Sequence, residues 1–347
     1  MGDIDIRIVG HAGRITLTRP KALNALTYEM CRQIEAALVA WRDDPAVALV
    51  VIDGQGERAF CAGGDIQEMY DTGTAGDLAY GRQFWRDEYR LNARVAEYPK
   101  PYVALMQGFT MGGGVGVSCH GSHRIVGETS QIAMPECGIG LVPDVGGSYL
   151  LARAPGRLGD YLGLSSDRMG PEDAIYAGFA DTYVPQAKWP KVIAALENRG
   201  DADVITKYAT TPPAGHLTGH QAEIDAAFAG ATLAEVVASL QASTSPFAAT
   251  ALKAVARNSP LSMAVTIEIL RQLREDLNLR HALHLEYRYT YNAMEKGDFL
   301  EGIRAAIIDK DRAPKWKHRL DGVSAADVAT ILAPLGEHGL DLEGQLA

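Results

Sequence analysis

Two glycine-dense stretches constrain this chain most: MGGGVG at residues 111–116 and MPECGIGLVPDVGG at residues 134–147. Three consecutive glycines carry no Cβ, so the backbone there can approach other atoms closely and present its N–H groups to a ligand. The run sits where a helix would begin, with unpaired N–H groups and the positive end of the helix dipole available. A carboxylate, Glu136, follows about twenty residues later, and a second, Asp144, lies eight residues beyond it. Acids placed beside exposed donors point to acyl chemistry, in which the donors hold a developing oxyanion and the acid handles water or a proton.

The pattern around these stretches sets the fold class. Residues 4–9 and 14–18 alternate apolar and polar side chains, with His11, Ala12 and Gly13 between them, which predicts a β-hairpin. Residues 28–41 carry Met30, Ile34, Leu38 and Trp41 on one helical face, with Thr27 as the N-cap. Residues 46–52 and 101–106 are short apolar runs and read as buried strands. A helix is expected over 80–97, another opens at the glycine run, and 123–126 returns as a strand. Strand, helix and strand recur to about residue 185, which predicts a parallel, right-handed α/β arrangement. Helical segments then dominate, at 222–228, 233–240, 247–256 and 263–273. The expected organisation is an α/β core over residues 1–186 and a helical region over 187–347.

A net charge of −10 argues against a nucleic-acid binder, while leaving room for a local basic patch that holds a small anion. The four cysteines, Cys31, Cys61, Cys119 and Cys137, form no CxxC pair and no zinc spacing; reduced thiols are expected, and no metal. The first ten residues lack the features of a signal peptide, and no apolar run is long enough to span a bilayer. The cytoplasm is the expected location, with no membrane partner.

Each motif has two readings. FCAGGD, residues 60–65, follows a strand and can turn an N–H outward, or it is an ordinary glycine-rich connector. Gly112, Gly113 and Gly114 bind an anion or an oxyanion, or they let a helix pack tightly on a strand. Two such sites in one core strengthen the first reading, because an oxyanion hole needs converging donors. Glu136 and Asp144 stand among apolar residues and glycines, where a carboxylate is a functional candidate; the alternatives are exposed loops, or Asp144 as a helix N-cap.

Taken in order, RITLTRPKALNAL (14–26), AFCAGGDI (59–66), KPYVALMQGFTMGGGVG (100–116), MPECGIGLVPDVGG (134–147) and DFLEGIRAAIIDKDRAPKW (298–316) resemble the crotonase (enoyl-CoA hydratase/isomerase) superfamily. The resemblance implies a spiral core of repeated ββα units with a helical C-terminal part, and an acyl-CoA thioester as substrate. Hydratases of this fold use two glutamates, one of them two residues past the glycine triplet; here that position is Gly116, so Glu136 stands alone. They also carry glycine where this chain has Asp144. FWRDEYRLN (84–92) and DVGGSYLLAR (144–153) resemble the family's hydrolase subgroup, which implies cleavage of 3-hydroxyisobutyryl-CoA in valine breakdown.

By that resemblance, N–H groups of Ala62, or its neighbour Gly63, and Gly113 form the oxyanion hole. Glu136 is the catalytic carboxylate, as nucleophile or as general base, and Asp144 assists. Glu88, Gly112 and Gly114 touch substrate, although Glu88 lies in a charged run, Arg86-Asp87-Glu88, that also reads as a solvated helix face. Arg19 and Lys21 are the expected CoA contacts. Coenzyme A is part of the substrate and no cofactor is called for; a homo-oligomer is possible. The competing expectations are a hydratase or isomerase on the same fold and a non-catalytic CoA-binding protein.

Overall fold

The N-terminal alternation folds as an antiparallel hairpin, β1 (Ile4–Val9) and β2 (Ala12–Leu17). Its turn is tighter than the sequence suggested: Gly10, at φ +56°, and His11 make it alone, so Ala12 and Gly13 are already strand. The first helical segment starts as expected: the Thr27 side chain accepts from Met30 N at the cap of α1 (Tyr28–Trp41).

The computed structural model describes residues 2–343, and its remaining strands come in pairs. β3 (Leu49–Gly54) is followed by β4 (Ala59–Cys61), then α2 (Gln67–Thr74) and α3 (Ala79–Ala96). β5 (Tyr102–Met106) and β6 (Phe109–Met111) lead into α4 (Gly113–Gly116). β7 (His123–Val126) and β8 (Gln131–Ala133) lead into a 3₁₀ turn, Glu136–Ile139, and then α5 (Gly147–Arg153), α6 (Leu158–Ser165) and α7 (Pro171–Tyr176). β9 (Thr182–Tyr183) closes a six-stranded sheet of order β1-β2-β3-β5-β7-β9, parallel beyond the hairpin. The second member of each pair forms a separate parallel sheet, β4-β6-β8. Three turns of a ββα spiral result, each passing from the large sheet to the small one.

The large sheet is apolar on both faces, which is why its strands read as unbroken hydrophobic runs. Val50 and Ile52 point into one cluster with Ala104 and Met106, while Leu49 and Val51 point into another with Val103 and Leu105. The second face is covered by α8 (Trp189–Arg199) through Val192 and Leu196.

Helices follow: α9 (Leu217–Ala227), α10 (Leu233–Ala242), α11 (Pro246–Val255), α12 (Pro260–Glu275), α13 (Leu279–Ala293), α14 (Phe299–Ile303) and α15 (Ala325–Ile331). Side-chain oxygens of Thr232, Ser245, Ser259, Asn278 and Ser324 accept backbone N–H bonds at the starts of α10 to α13 and α15. α12 packs on α5 and α6, and α13 on α3 and α5, so the helical region lies directly behind the glycine-rich segments. Among the described residues no helix is long and apolar enough to cross a membrane, and all four cysteines are buried thiols.

Candidate active site

The C-terminal ends of β4, β6 and β8 lie side by side, because those strands are neighbours in the small sheet. The residues just past each end are Ala62-Gly63, Gly112-Gly113 and Pro135-Glu136. The spiral repeat thus delivers three loops, distant in sequence, to one place. They line a cavity of about 110 Å³ together with Glu88, Asp144, Trp85 and Phe299. Gly63, at φ +118°, and Gly112, at φ +49° and ψ −123°, have backbones that only glycine adopts without strain.

The geometry leaves two openings where Cβ atoms are missing. The point a Cβ on Gly112 would occupy lies 3.0 Å from Glu136 Oε1 and 3.6 Å from Gly63 Cα. The corresponding point at Gly113 lies 2.8 Å from Glu88 Oε1 and 3.4 Å from Gly64 N. Neither the Gly63 nor the Gly113 N–H donates to a protein acceptor among the described residues. Ala62 N–H, by contrast, is bonded to Leu23 O at 3.0 Å, so of that pair Gly63 is the available donor. Glu136 Oε2 and Glu88 Oε1 are buried without a partner. Two free donors and two unpartnered carboxylate oxygens therefore face the same small space.

Glu88, Glu136 and Asp144 are each 4% exposed, Glu286 on α13 is fully buried, and none has a cationic partner within salt-bridge distance among the described residues. Burial without a counter-charge favours the neutral acid. Glu88 is pushed up to about 8 by burial and then by the Asp144 charge. Glu136 is raised well above the usual carboxylate range by burial, then by Asp144. Asp144 is raised too by burial, opposed by the hydrogen bond its Oδ2 accepts from Tyr89 Oη at 2.7 Å.

Asp144 is not a helix cap: α5 begins at Gly147 behind Gly146, with no side chain of its own at the cap. Its loop is strained at Val145, a β-branched residue at φ +53°. Val145 O accepts from His120 Nε2 at 2.8 Å, and burial keeps that imidazole neutral, down at about 4. Glu286 accepts from Gly146 N at 2.8 Å, from Ser148 N at 3.1 Å and from the Ser148 hydroxyl.

The remaining expected residues lie elsewhere. Gly114 does not line the cavity; a Cβ there would stand 2.3 Å from Cys61 O, so its role is close packing of α4 on β4. Arg19 also lies off the cavity, bonded to Asp65 at 2.9 Å and to Ala25 O at 2.6 Å, where it braces the 62–65 loop. Lys21 is exposed on a 3₁₀ turn, Pro20–Ala22. Cys61 is no nucleophile: burial pushes its thiol up to about 12, and its Sγ donates to Gly63 O at 3.5 Å. Glu88 sits on the buried face of α3, not on a solvated one. Sequence reasoning missed Tyr89, His120 and Glu286. The signal for Glu286 was present: it falls on the apolar face Ala282, Tyr289, Ala293 of α13, where a carboxylate has no ordinary place.

A family model described as enoyl-CoA hydratase/isomerase matches residues 12–332. The chain belongs to the enoyl-CoA hydratase/isomerase family. The mitochondrial 3-hydroxyisobutyryl-CoA hydrolase of Gallus gallus is 41% identical over 98% of this chain and 91% of its own length. A crystal structure of an enoyl-CoA hydratase from Rhodobacter sphaeroides 2.4.1 superposes with a TM-score of 0.94 at 59% identity, covering 98% of this chain and 100% of that one. A carnitinyl-CoA dehydratase from Mycobacterium thermoresistibile also gives 0.94, at 42% identity, covering 99% and 100%. The ββα spiral is thus the family's own fold.

Proposed function

We propose that this enzyme hydrolyses a short β-hydroxyacyl-CoA thioester, 3-hydroxyisobutyryl-CoA, to 3-hydroxyisobutyrate and coenzyme A, a step of valine breakdown. The observation that carries the proposal is Glu136 beside the free N–H groups of Gly63 and Gly113, with no second acid at Gly116. A Cβ at Gly116 would meet Asn92 Nδ2 at 2.6 Å and Val145 Cβ at 2.9 Å, so that position is filled by neighbours. A hydratase of this fold would want its second glutamate at that position, whereas thioester cleavage proceeds with Glu136, an oxyanion hole and a proton source such as Asp144.

In this reading the thioester oxygen lies between the Gly63 and Gly113 amides. Glu136 drives attack on the carbonyl carbon, either directly, giving an acyl–Glu136 anhydride that water then cleaves, or by deprotonating water, and the amides hold the tetrahedral oxyanion. The C–S bond breaks and the thiolate takes a proton, for which Asp144, raised toward its neutral form, is the available source. A cavity of about 110 Å³ suits a short acyl chain. Coenzyme A enters as part of the substrate and the reaction calls for no separate cofactor. Of the two expected CoA contacts Lys21 is the freer, since Arg19 is held by Asp65. The cytoplasm is the proposed compartment on the strength of four thiols, although the curated hydrolases are mitochondrial by name. A homo-oligomer remains part of the proposal, with sedimentation as its test.

The 59% identical structure carries the name of a hydratase, which makes that activity the second reading. Thiol release from 3-hydroxyisobutyryl-CoA and crotonyl-CoA separates the two. Hydrolysis of the first is expected, with Glu136→Gln slowing it by ~10²–10⁴-fold. Loss of enoyl absorbance from crotonyl-CoA without thiol release from either substrate sinks the hydrolase reading.

A further inference from the structure

Glu286 belongs to α13, far along the chain from the glycine-rich segments, yet its carboxylate is spent wholly on them. One oxygen accepts from Gly146 N, the other from both the N–H and the hydroxyl of Ser148. These donors bracket Gly147 and follow directly on Asp144-Val145. Val145 cannot hold φ +53° unaided, and its carbonyl is fixed from the opposite side by His120. α13 reaches the site twice more. Tyr287 packs edge-on against Tyr89, whose hydroxyl holds Asp144, and Tyr289 Oη donates to Gly140 O at 3.0 Å. The segment from the Glu136 turn to α5 is therefore gripped at both ends by one helix.

We propose that Glu286 is a positioning residue of the active site: from α13 it fixes Gly146 and Ser148, holds Val145 in its left-handed conformation, and so aims Asp144 at the substrate. This rests on the hydrolase reading. Glu286 touches no part of the cavity; it acts through the loop. A carboxylate is required because three donors converge on it. Glutamine keeps the shape and can serve Ser148 with its oxygen, but turns its NH₂ toward Gly146 N–H, donor against donor. The groups around it are Ser148 on α5, Tyr89 on α3, Asp144 in the loop and Glu136 in the 3₁₀ turn, with no cation among them. A charge on Glu286 raises Glu136, and the Asp144 charge raises Glu286 in turn.

The test is a double-mutant cycle on thiol release. Wild type and Asp144→Asn come first: if wild type releases no thiol, the hydrolase reading has failed and the brace is not the reason. With wild type active, Glu286→Gln is expected to lower kcat by up to ~10²-fold with KM little changed, the size of a misplaced catalytic group. In the Asp144→Asn background Glu286→Gln is expected to add almost nothing. Multiplicative losses in the double variant, or a Glu286→Gln enzyme at the wild-type rate, overturn the proposal. Should Glu286→Gln not fold, Ser148→Ala removes one of the three donors and enters the same cycle with the same expectations.

Discussion

Gly113 shows how little room the site leaves around its donors. The missing Cβ would lie 2.8 Å from Glu88 Oε1, 3.3 Å from a Leu26 methyl and 3.4 Å from Gly64 N. Its backbone is helical, so alanine there is not strained by φ and ψ; the damage comes from contact with the site itself. Gly113→Ala is expected to leave the urea midpoint near wild type, because the group it meets first is the end of a side chain. The N–H is kept but the methyl crowds Glu88 and the substrate, so kcat/KM for thiol release should fall by up to ~10²-fold, the size of a misplaced reacting group. A variant with unchanged kcat/KM would remove Gly113 from the hole. At this scale the sequence exposed Glu136 and Asp144 because prolines and glycines leave a charged residue nothing to do locally. It hid Glu286, and left Glu88 to the family resemblance, because each sits in a helix rich in charge. Only the register, Phe84-Glu88-Leu91-Val95 in α3 and Ala282-Glu286-Tyr289-Ala293 in α13, shows that they face inward.

Between neighbouring elements the same glycine run does different work. α4 lies on β4 only because Gly114 has no side chain: its Cβ would come within 2.3 Å of Cys61 O and 2.9 Å of Cys61 Cβ. The obstacle is backbone, so the helix must move. Gly114→Ala is expected to destabilise the fold by about 1–3 kcal/mol, as overpacking does, and to lower the urea midpoint where Gly113→Ala does not. An unchanged midpoint would mean that α4 is free to slide. The elements themselves were legible to differing degrees. Long ones showed their period: α1 and β1 lie where the pattern put them. The small sheet did not, because three residues each in β4, β6 and β8 are too few for an alternation to register. Those strands carry the site loops, so the convergence of residues 62–63, 112–113 and 136 came from the family resemblance and from no periodicity.

Across the whole molecule, four buried carboxyls without cations couple both activity and stability to pH. Glu88 and Glu286 are raised to about 8, and Glu136 and Asp144 are raised as well, all chiefly by burial. Above the unfolded carboxylate range the native chain keeps protons that the unfolded chain has lost. Stability therefore falls as pH rises toward the folded values. His120, depressed to about 4 from 6.5, works the other way, but only below about 6.5. Exposed carboxylates held down by arginine, such as Glu268 beside Arg271, have finished titrating before that point. Between about pH 6.5 and 8 the buried acids are left to set the slope, and the urea midpoint is expected to decline. Catalysis needs Glu136 ionised and Asp144 protonated, so with Asp144 raised to about 7 kcat/KM for thiol release is expected to fall on the alkaline side of that value. Glu88→Gln removes one of the four groups. Its stability advantage over wild type should widen from about pH 5 to 8 and level off above, tracking the range between the unfolded value and the buried one. A midpoint that rises from pH 6.5 to 8, or a Glu88→Gln advantage independent of pH, would mean these carboxyls stay ionised in the folded chain. The desolvated site on which Glu136 depends would then not exist in solution.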